Sequence, residues 1–170
     1  MSEWFSCQVV VRGFVAGETD FATRFARLVE GERDYLTTLV DRIATVESAP
    51  ASFVAITTLG YSDRVDDAGL SAEQRRSKED DAAQARAESA SAWLRDQLAA
   101  RFAGTSFDGL SAKQWRGLAA MKVGAGASRL VHPAPGTNEA LRRQNRRVAF
   151  LVYSFQVPGF AADNEVMELG

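Results

Sequence analysis

Two spacings of apolar residues alternate along the chain. Cys7-Gln8-Val9-Val10-Val11-Arg12-Gly13-Phe14-Val15 is β-branched and bounded by Gly13 and Gly17, which predicts a strand. After Thr19 or Asp20, either of which suits an N-cap, the spacing changes. Phe21, Phe25, Leu28, Val29, Tyr35, Leu36, Leu39, Val40, Ile43 and Val46 recur every three or four residues. That period predicts one amphipathic helix, kinked near Gly31 and stopped by Ser48-Ala49-Pro50. Phe53 to Leu59 is continuously apolar or β-branched, as strands buried on both faces are. Arg64 to Asp81 is polar without a clear period, and its Arg75 to Asp81 portion either opens a helix or stays a solvated loop. A second helix is expected over Ala82 to Phe102, ending before Gly104. Leu118 to Gly124 reads as a third strand. A loop follows, with Pro133-Ala134-Pro135-Gly136 as its strongest breaker. Asn138 to Gln144 forms a short helix, and Val148 to Phe155 is the last strand.

The order β-α-β-α-β-α-β implies a layered α/β (α+β) domain over residues 1–157, with residues 158–170 as a C-terminal tail. A chain of 170 residues can bury a real core. A formal net charge of −2 gives no electrostatic reason to expect nucleic acid. Arg142, Arg143, Arg146 and Arg147 do cluster, a composition better suited to a carboxylate or phosphate. Cys7 is the sole cysteine and His132 the sole histidine. Neither a disulfide, a cysteine or two-histidine metal site, nor a Cys-His nucleophile is therefore expected, and no cofactor is implied. Asp63-Arg64-Val65-Asp66-Asp67-Ala68-Gly69 fails the spacing of a calcium loop. No run approaches the ~20 apolar residues of a transmembrane helix. Trp4 to Val15 lacks a basic leader, and Cys7 lacks a lipoprotein cleavage context. The expectation is synthesis in the cytoplasm, with a wall-facing role only by another export route or within an assembly.

Three segments, in this order, resemble the OmpA C-terminal family, which includes the peptidoglycan-associated lipoproteins and the flagellar motor B proteins. Ile56-Thr57-Thr58-Leu59-Gly60-Tyr61-Ser62-Asp63 is similar to the family's strand ending in Gly-His-Thr-Asp. Ala85-Arg86-Ala87-Glu88-Ser89 resembles the Arg-Ala that begins its second long helix. Arg142-Arg143-Gln144-Asn145-Arg146-Arg147-Val148 is close to the Asn-Arg-Arg-Val entering the last strand. Gly124-Ala125-Gly126 and Pro133 fall where the family places Gly-x-Gly and Pro. The likeness spans Gln8 to Phe155, and Asn-Arg-Arg-Val is its most specific part.

The resemblance implies a mixed four-stranded sheet with helices packed on it, and a groove for the diaminopimelate-type side chain of a peptidoglycan stem peptide. It places Asp63 as acceptor for the ligand ammonium and Arg86, at a helix start, as a two-pronged donor to its carboxylate, chemistry those groups suit. Ser62 keeps a hydroxyl beside Asp63, and Arg142, Asn145 and Arg146 line the same groove. Taken alone, Asp63 reads equally as a turn cap and Arg86 as a solvated helix residue. The sequence departs from the family in its long acidic insert. Asp66, Asp67, Glu79, Asp80 and Asp81 put carboxylates near the groove that either compete for Arg86 and close the pocket internally or select a ligand with more positive charge. These carboxylates lack the apolar surroundings that raise a catalytic pKa, so no catalytic residue is assigned. Two functions follow: a peptidoglycan anchor, or a structural subunit with a degenerate groove, for example in a phage-like contractile injection assembly. The second would meet its partner protein through Arg64 to Asp81.

Overall fold

A computed structural model describes residues 5–47, 52–104 and 118–156. Eight elements follow in order: β1 Ser6–Arg12, α1 Phe21–Ala26, α2 Glu30–Glu47, β2 Ser52–Tyr61, α3 Ala72–Phe102, β3 Leu118–Gly124, α4 Glu139–Asn145 and β4 Arg147–Gln156. The strands form one mixed sheet in the order β1-β4-β2-β3. β4 runs antiparallel to β1 and β2, whereas β2 and β3 are parallel with α3 between them in sequence. The α+β class and the mixed four-stranded sheet expected from the sequence are both present. The expected helix stop at 48–50 and the tail 158–170 lie outside the described residues.

The strands obey the two-residue period of a pleated sheet. Val9 and Val11 of β1, Val54 and Ile56 of β2, and Val148, Phe150 and Val152 of β4 are buried with Leu36, Leu39, Val40 and Ile43 of α2. Ala90, Leu94, Leu98 and Phe102 of α3 complete that core. Phe21 stands at an aromatic junction, its ring centroid 5.0 Å from Trp93, 5.4 Å from Phe150 and 6.4 Å from Phe14.

Two helix boundaries differ from the sequence reading. The single helix kinked at Gly31 is instead two helices, broken at Arg27 to Val29 while Leu28 turns into the core. Arg33 compensates for the break by donating to the carbonyls of Ala26 at 3.3 Å and Leu28 at 3.1 Å. α3 starts at Ala72 rather than Ala82, so the loop expected from Arg64 to Asp81 closes at Ser71. The reason is a capping box: Ser71 Oγ accepts from Gln74 N, and Gln74 Oε1 accepts from Ser71 N. The buried stripe of α3 begins only at Ala83, so its first turns carry no apolar period. Arg86 consequently lies in the middle of a 31-residue helix, not at a helix start.

A pair of glycines sets how closely that helix approaches. Gly60 of β2 and Gly124 of β3 are register partners. A Cβ on Gly60 would overlap the Ala83 carbonyl oxygen and stand 2.8 Å from Ala87 N, and one on Gly124 would stand 2.7 Å from Gln84 N. Gln84 Oε1 also accepts from Gly124 N at 2.9 Å. The α3 backbone thus rests directly on the end of β2 from which the candidate site grows.

Candidate functional site

β2 ends in the turn Tyr61-Ser62-Asp63, and that turn is fixed before any side chain is considered. Ser62 N donates to Gly126 O at 2.9 Å, and Ala125 N donates to Gly60 O at 2.8 Å. The strand end and the Gly124-Ala125-Gly126 segment are thereby stitched together, which directs the Asp63 carboxylate inward. Asp63 is buried, so its charge requires partners. Asn145 Nδ2 donates to its Oδ1 at 2.8 Å, Arg142 Nη1 donates to its Oδ2 at 3.0 Å, and Arg146 Nη2 stands 3.6 Å from the same oxygen.

α4 supplies these partners. Asn138 caps it by accepting from Ala140 N and Leu141 N, and the helix ends at Asn145, with only Arg146 between it and β4. Asn145 is fully buried and fully used. Besides its bond to Asp63, its Nδ2 donates to His132 O at 2.9 Å and its Oδ1 accepts from His132 N at 2.9 Å. Arg142 Nε donates to Gly136 O at 2.7 Å, and its Nη2 pairs with Asp66. Arg146 Nη1 pairs with Glu139 at 2.6 Å. The hydrogen bond from Arg146 holds the Glu139 carboxyl below its ordinary range, against a smaller opposing effect of burial.

Arg86 approaches from α3 and is only 2% exposed. Its Nε donates to Glu18 O at 2.9 Å and its Nη1 to Tyr61 O at 3.0 Å, with the guanidinium 5.5 Å from the Phe14 ring. Burial, and then the charge of Arg146, push its pKa down to about 10, partly offset by Glu18 and Asp63. The Ser62 hydroxyl is buried without any hydrogen-bond partner. Arg147 frames the site from the sheet, lying 3.9 Å over the Tyr61 ring and donating to Asn145 O at 3.1 Å.

The structure therefore brings Asp63, Arg142, Asn145 and Arg146 into direct contact and sets Arg86 and Ser62 beside them. Three guanidiniums (Arg86, Arg142, Arg146) face three carboxylates (Asp63, Asp66, Glu139), of which Asp66 and Glu139 are the exposed ones. Of the extra carboxylates, Asp66 binds Arg142 rather than Arg86, and Glu79 instead accepts from Val65 N at 2.8 Å. Sequence reasoning missed Glu139, the clasp between His132 and Asn145, and the carbonyl of Glu18. Arg146 is the extended C-cap of α4, seven residues from Glu139, so the three- and four-residue helical spacing rule gave no signal for their pairing, and the other two are long-range contacts without one. Among the described residues, no group of three or more His, Cys, Asp or Glu is placed to hold a metal ion. No described helix is long and apolar enough to cross a membrane.

No protein-family model and no curated protein matches the chain. Solved structures do. The chain is similar to the OmpA-like domain of FopA1 from Francisella tularensis subsp. tularensis SCHU S4, at 14% identity over 89% of this chain and 73% of that one, with a TM-score of 0.49. It is similar to a MotB-like protein from Desulfovibrio vulgaris, at 19% identity over 86% and 72%, with a TM-score of 0.46. A third likeness is to the periplasmic domain of Helicobacter pylori MotB, at 16% identity over 89% and 83%, with a TM-score of 0.40.

Proposed function

We propose that the chain is a non-catalytic, OmpA-like module that grips the diaminopimelate-type end of a peptidoglycan stem peptide, anchoring a larger assembly or envelope component to the cell wall. One observation carries this reading: Arg142, Asn145 and Arg146 of one family-like segment hold the buried carboxylate of Asp63 from another, and Arg86 of the third donates to the Tyr61 carbonyl two residues before it. A zwitterionic amino-acid end needs an acceptor for its ammonium and donors for its carboxylate, each partly desolvated so that shape decides binding. Asp63 is the acceptor. Arg86, Arg142 and Arg146 supply the donors, Asn145 holds Asp63 in place, and the unpartnered Ser62 hydroxyl is available to a ligand group. Binding places the ligand ammonium against Asp63, while Arg142 keeps its hold on Asp63 and turns its outer Nη2 to the ligand carboxylate.

The test is retention on insoluble peptidoglycan sacculi. Wild type, Asp63→Asn and Arg86→Lys are compared after circular dichroism and melting show that each is folded. Retention of wild type with loss in both variants supports the reading, and a wild type that stays in the supernatant removes it.

A second reading, a structural subunit meeting a partner protein through Arg64 to Asp81, is favoured by a specific observation. Asp63, Arg142 and Arg146 already pair within the chain, as a groove that no longer binds would allow.

A further inference from the structure

Arg142 is held from several sides. Its Nε is fixed on Gly136 O at 2.7 Å, and its Nη1 on Asp63 at 3.0 Å with Arg64 O at 3.4 Å. Only Nη2 turns to a group at the rim, the carboxylate of Asp66. The Asp66 side chain is 57% exposed, against 4% for Asp63 and 18% for Arg142. Asp66 is therefore the outermost and most replaceable partner of a guanidinium whose orientation does not depend on it.

We infer that the Asp66 carboxylate is a resident competitor, standing where the carboxylate of a bound peptide end contacts Arg142. The inference rests on the peptide-binding reading above and assigns the outer carboxylate subsite to Arg142. The segment carrying Asp66 is preorganised. Val65 N donates to Glu79 Oε1 at 2.8 Å, Gly69 N to Asp67 Oδ1 at 2.9 Å, and Arg75 Nη1 to Asp67 O at 3.2 Å. These bonds keep Asp66 near Arg142 at high effective concentration, so a ligand must displace it. An exposed carboxylate of this kind contributes little, so displacement is easy and the effect on affinity is modest. Glu139 is a less replaceable partner of Arg146. It sits in the first turn of its own helix, and Arg146 is nearly buried.

The probe is glutarate, a plain carboxylate, titrated into ¹⁵N-labelled full chain while the Nε–H signal of Arg142 is followed. Asp66→Asn and Asp66→Ala are expected to lower the glutarate midpoint about threefold, the scale of one exposed ion pair. Asp67→Asn removes the same charge one residue away, from a side chain turned to Gly69, and is expected to leave the midpoint where wild type has it. The competitor role is overturned if the Asp66 variants match Asp67→Asn, or if the Arg142 signal fails to respond in every chain. The same proteins are carried through the sacculi assay. A midpoint shift without sacculi binding would keep Asp66 as competitor and remove peptidoglycan as the ligand, so the two readings fail separately.

Discussion

Replacing Gly60 with alanine tests whether α3 rests on the sheet by backbone contact. The added Cβ would overlap the Ala83 carbonyl oxygen and stand 2.8 Å from Ala87 N and 3.0 Å from Ala83 C. All three are helix backbone atoms, so no rotamer change can make room and α3 must move outward as a body. That movement lifts Ala83, Ala87 and Ala90, none of which is exposed, from their contacts. Overpacking costs about 1–3 kcal/mol when side chains can adjust, and the upper end or beyond, about 3 kcal/mol, is expected here. For a chain of this length that corresponds to a melting temperature lower by about 6–12 °C. Gly31→Ala is the matched control, because it is helical and its Cβ would meet nothing within 4 Å. It should stabilise by up to about 1 kcal/mol. Urea unfolding followed by far-ultraviolet circular dichroism measures both, with m compared to establish that the same surface is exposed. A Gly60→Ala protein within about 1 kcal/mol of wild type at equal m would refute the packing, since ordinary van der Waals space would then exist at that position.

Asn145→Ala removes one partner of Asp63 and strands the backbone N–H and carbonyl of His132, and should cost about 2–4 kcal/mol by the same unfolding assay. A loss under about 0.5 kcal/mol, the scale of an ordinary surface substitution, would contradict the clasp. Ser71→Ala removes half of the capping box, and a loss near 1 kcal/mol with faster amide exchange confined to the first turns of α3 is expected. Uniformly faster exchange along the helix would show that the start of α3 is not set by this cap. Glu139 has a folded-state pKa lowered from 4.5, so its pairing stabilises above that pH and the contribution is lost as pH falls through the lowered value. The melting temperature of Glu139→Gln should therefore lie below wild type at pH 7 and converge with it in acid, by a small amount because the side chain is 44% exposed. A gap independent of pH would rule out the pairing with Arg146 as its source.

Pattern and structure agree where burial itself writes the pattern. β1, β2 and β4 lie near their expected positions because β-branched runs mark pleated and buried backbone, and β3 falls at Leu118–Gly124 as expected although Met121 and Val123 are exposed there. The first ten residues of α3 have no core to face, so apolar spacing was blind to them although Ser71 and Gln74 announced the cap. The break between α1 and α2 left the apolar pattern unbroken because Leu28 stays buried through it. At the site, Asp63, Asn145 and Arg146 were legible as motif members. Their partners were less so: Asp66 on Arg142, Glu139 on Arg146 and the Glu18 carbonyl on Arg86 are contacts made by the tertiary fold, which local spacing does not encode.

The course of β4 has a mechanical consequence. The strand begins at Arg147, next to Asn145 and Arg146, and runs to Gln156 at its far end. It is flanked by seven register partners on β1 and ten on β2. Antiparallel ladder bonds lie perpendicular to the strands. Tension applied between Asn145 and Gln156 therefore runs along β4 and loads both ladders in shear, many bonds sharing the force at once. Rupture would require sliding β4 out between two neighbours instead of peeling it bond by bond.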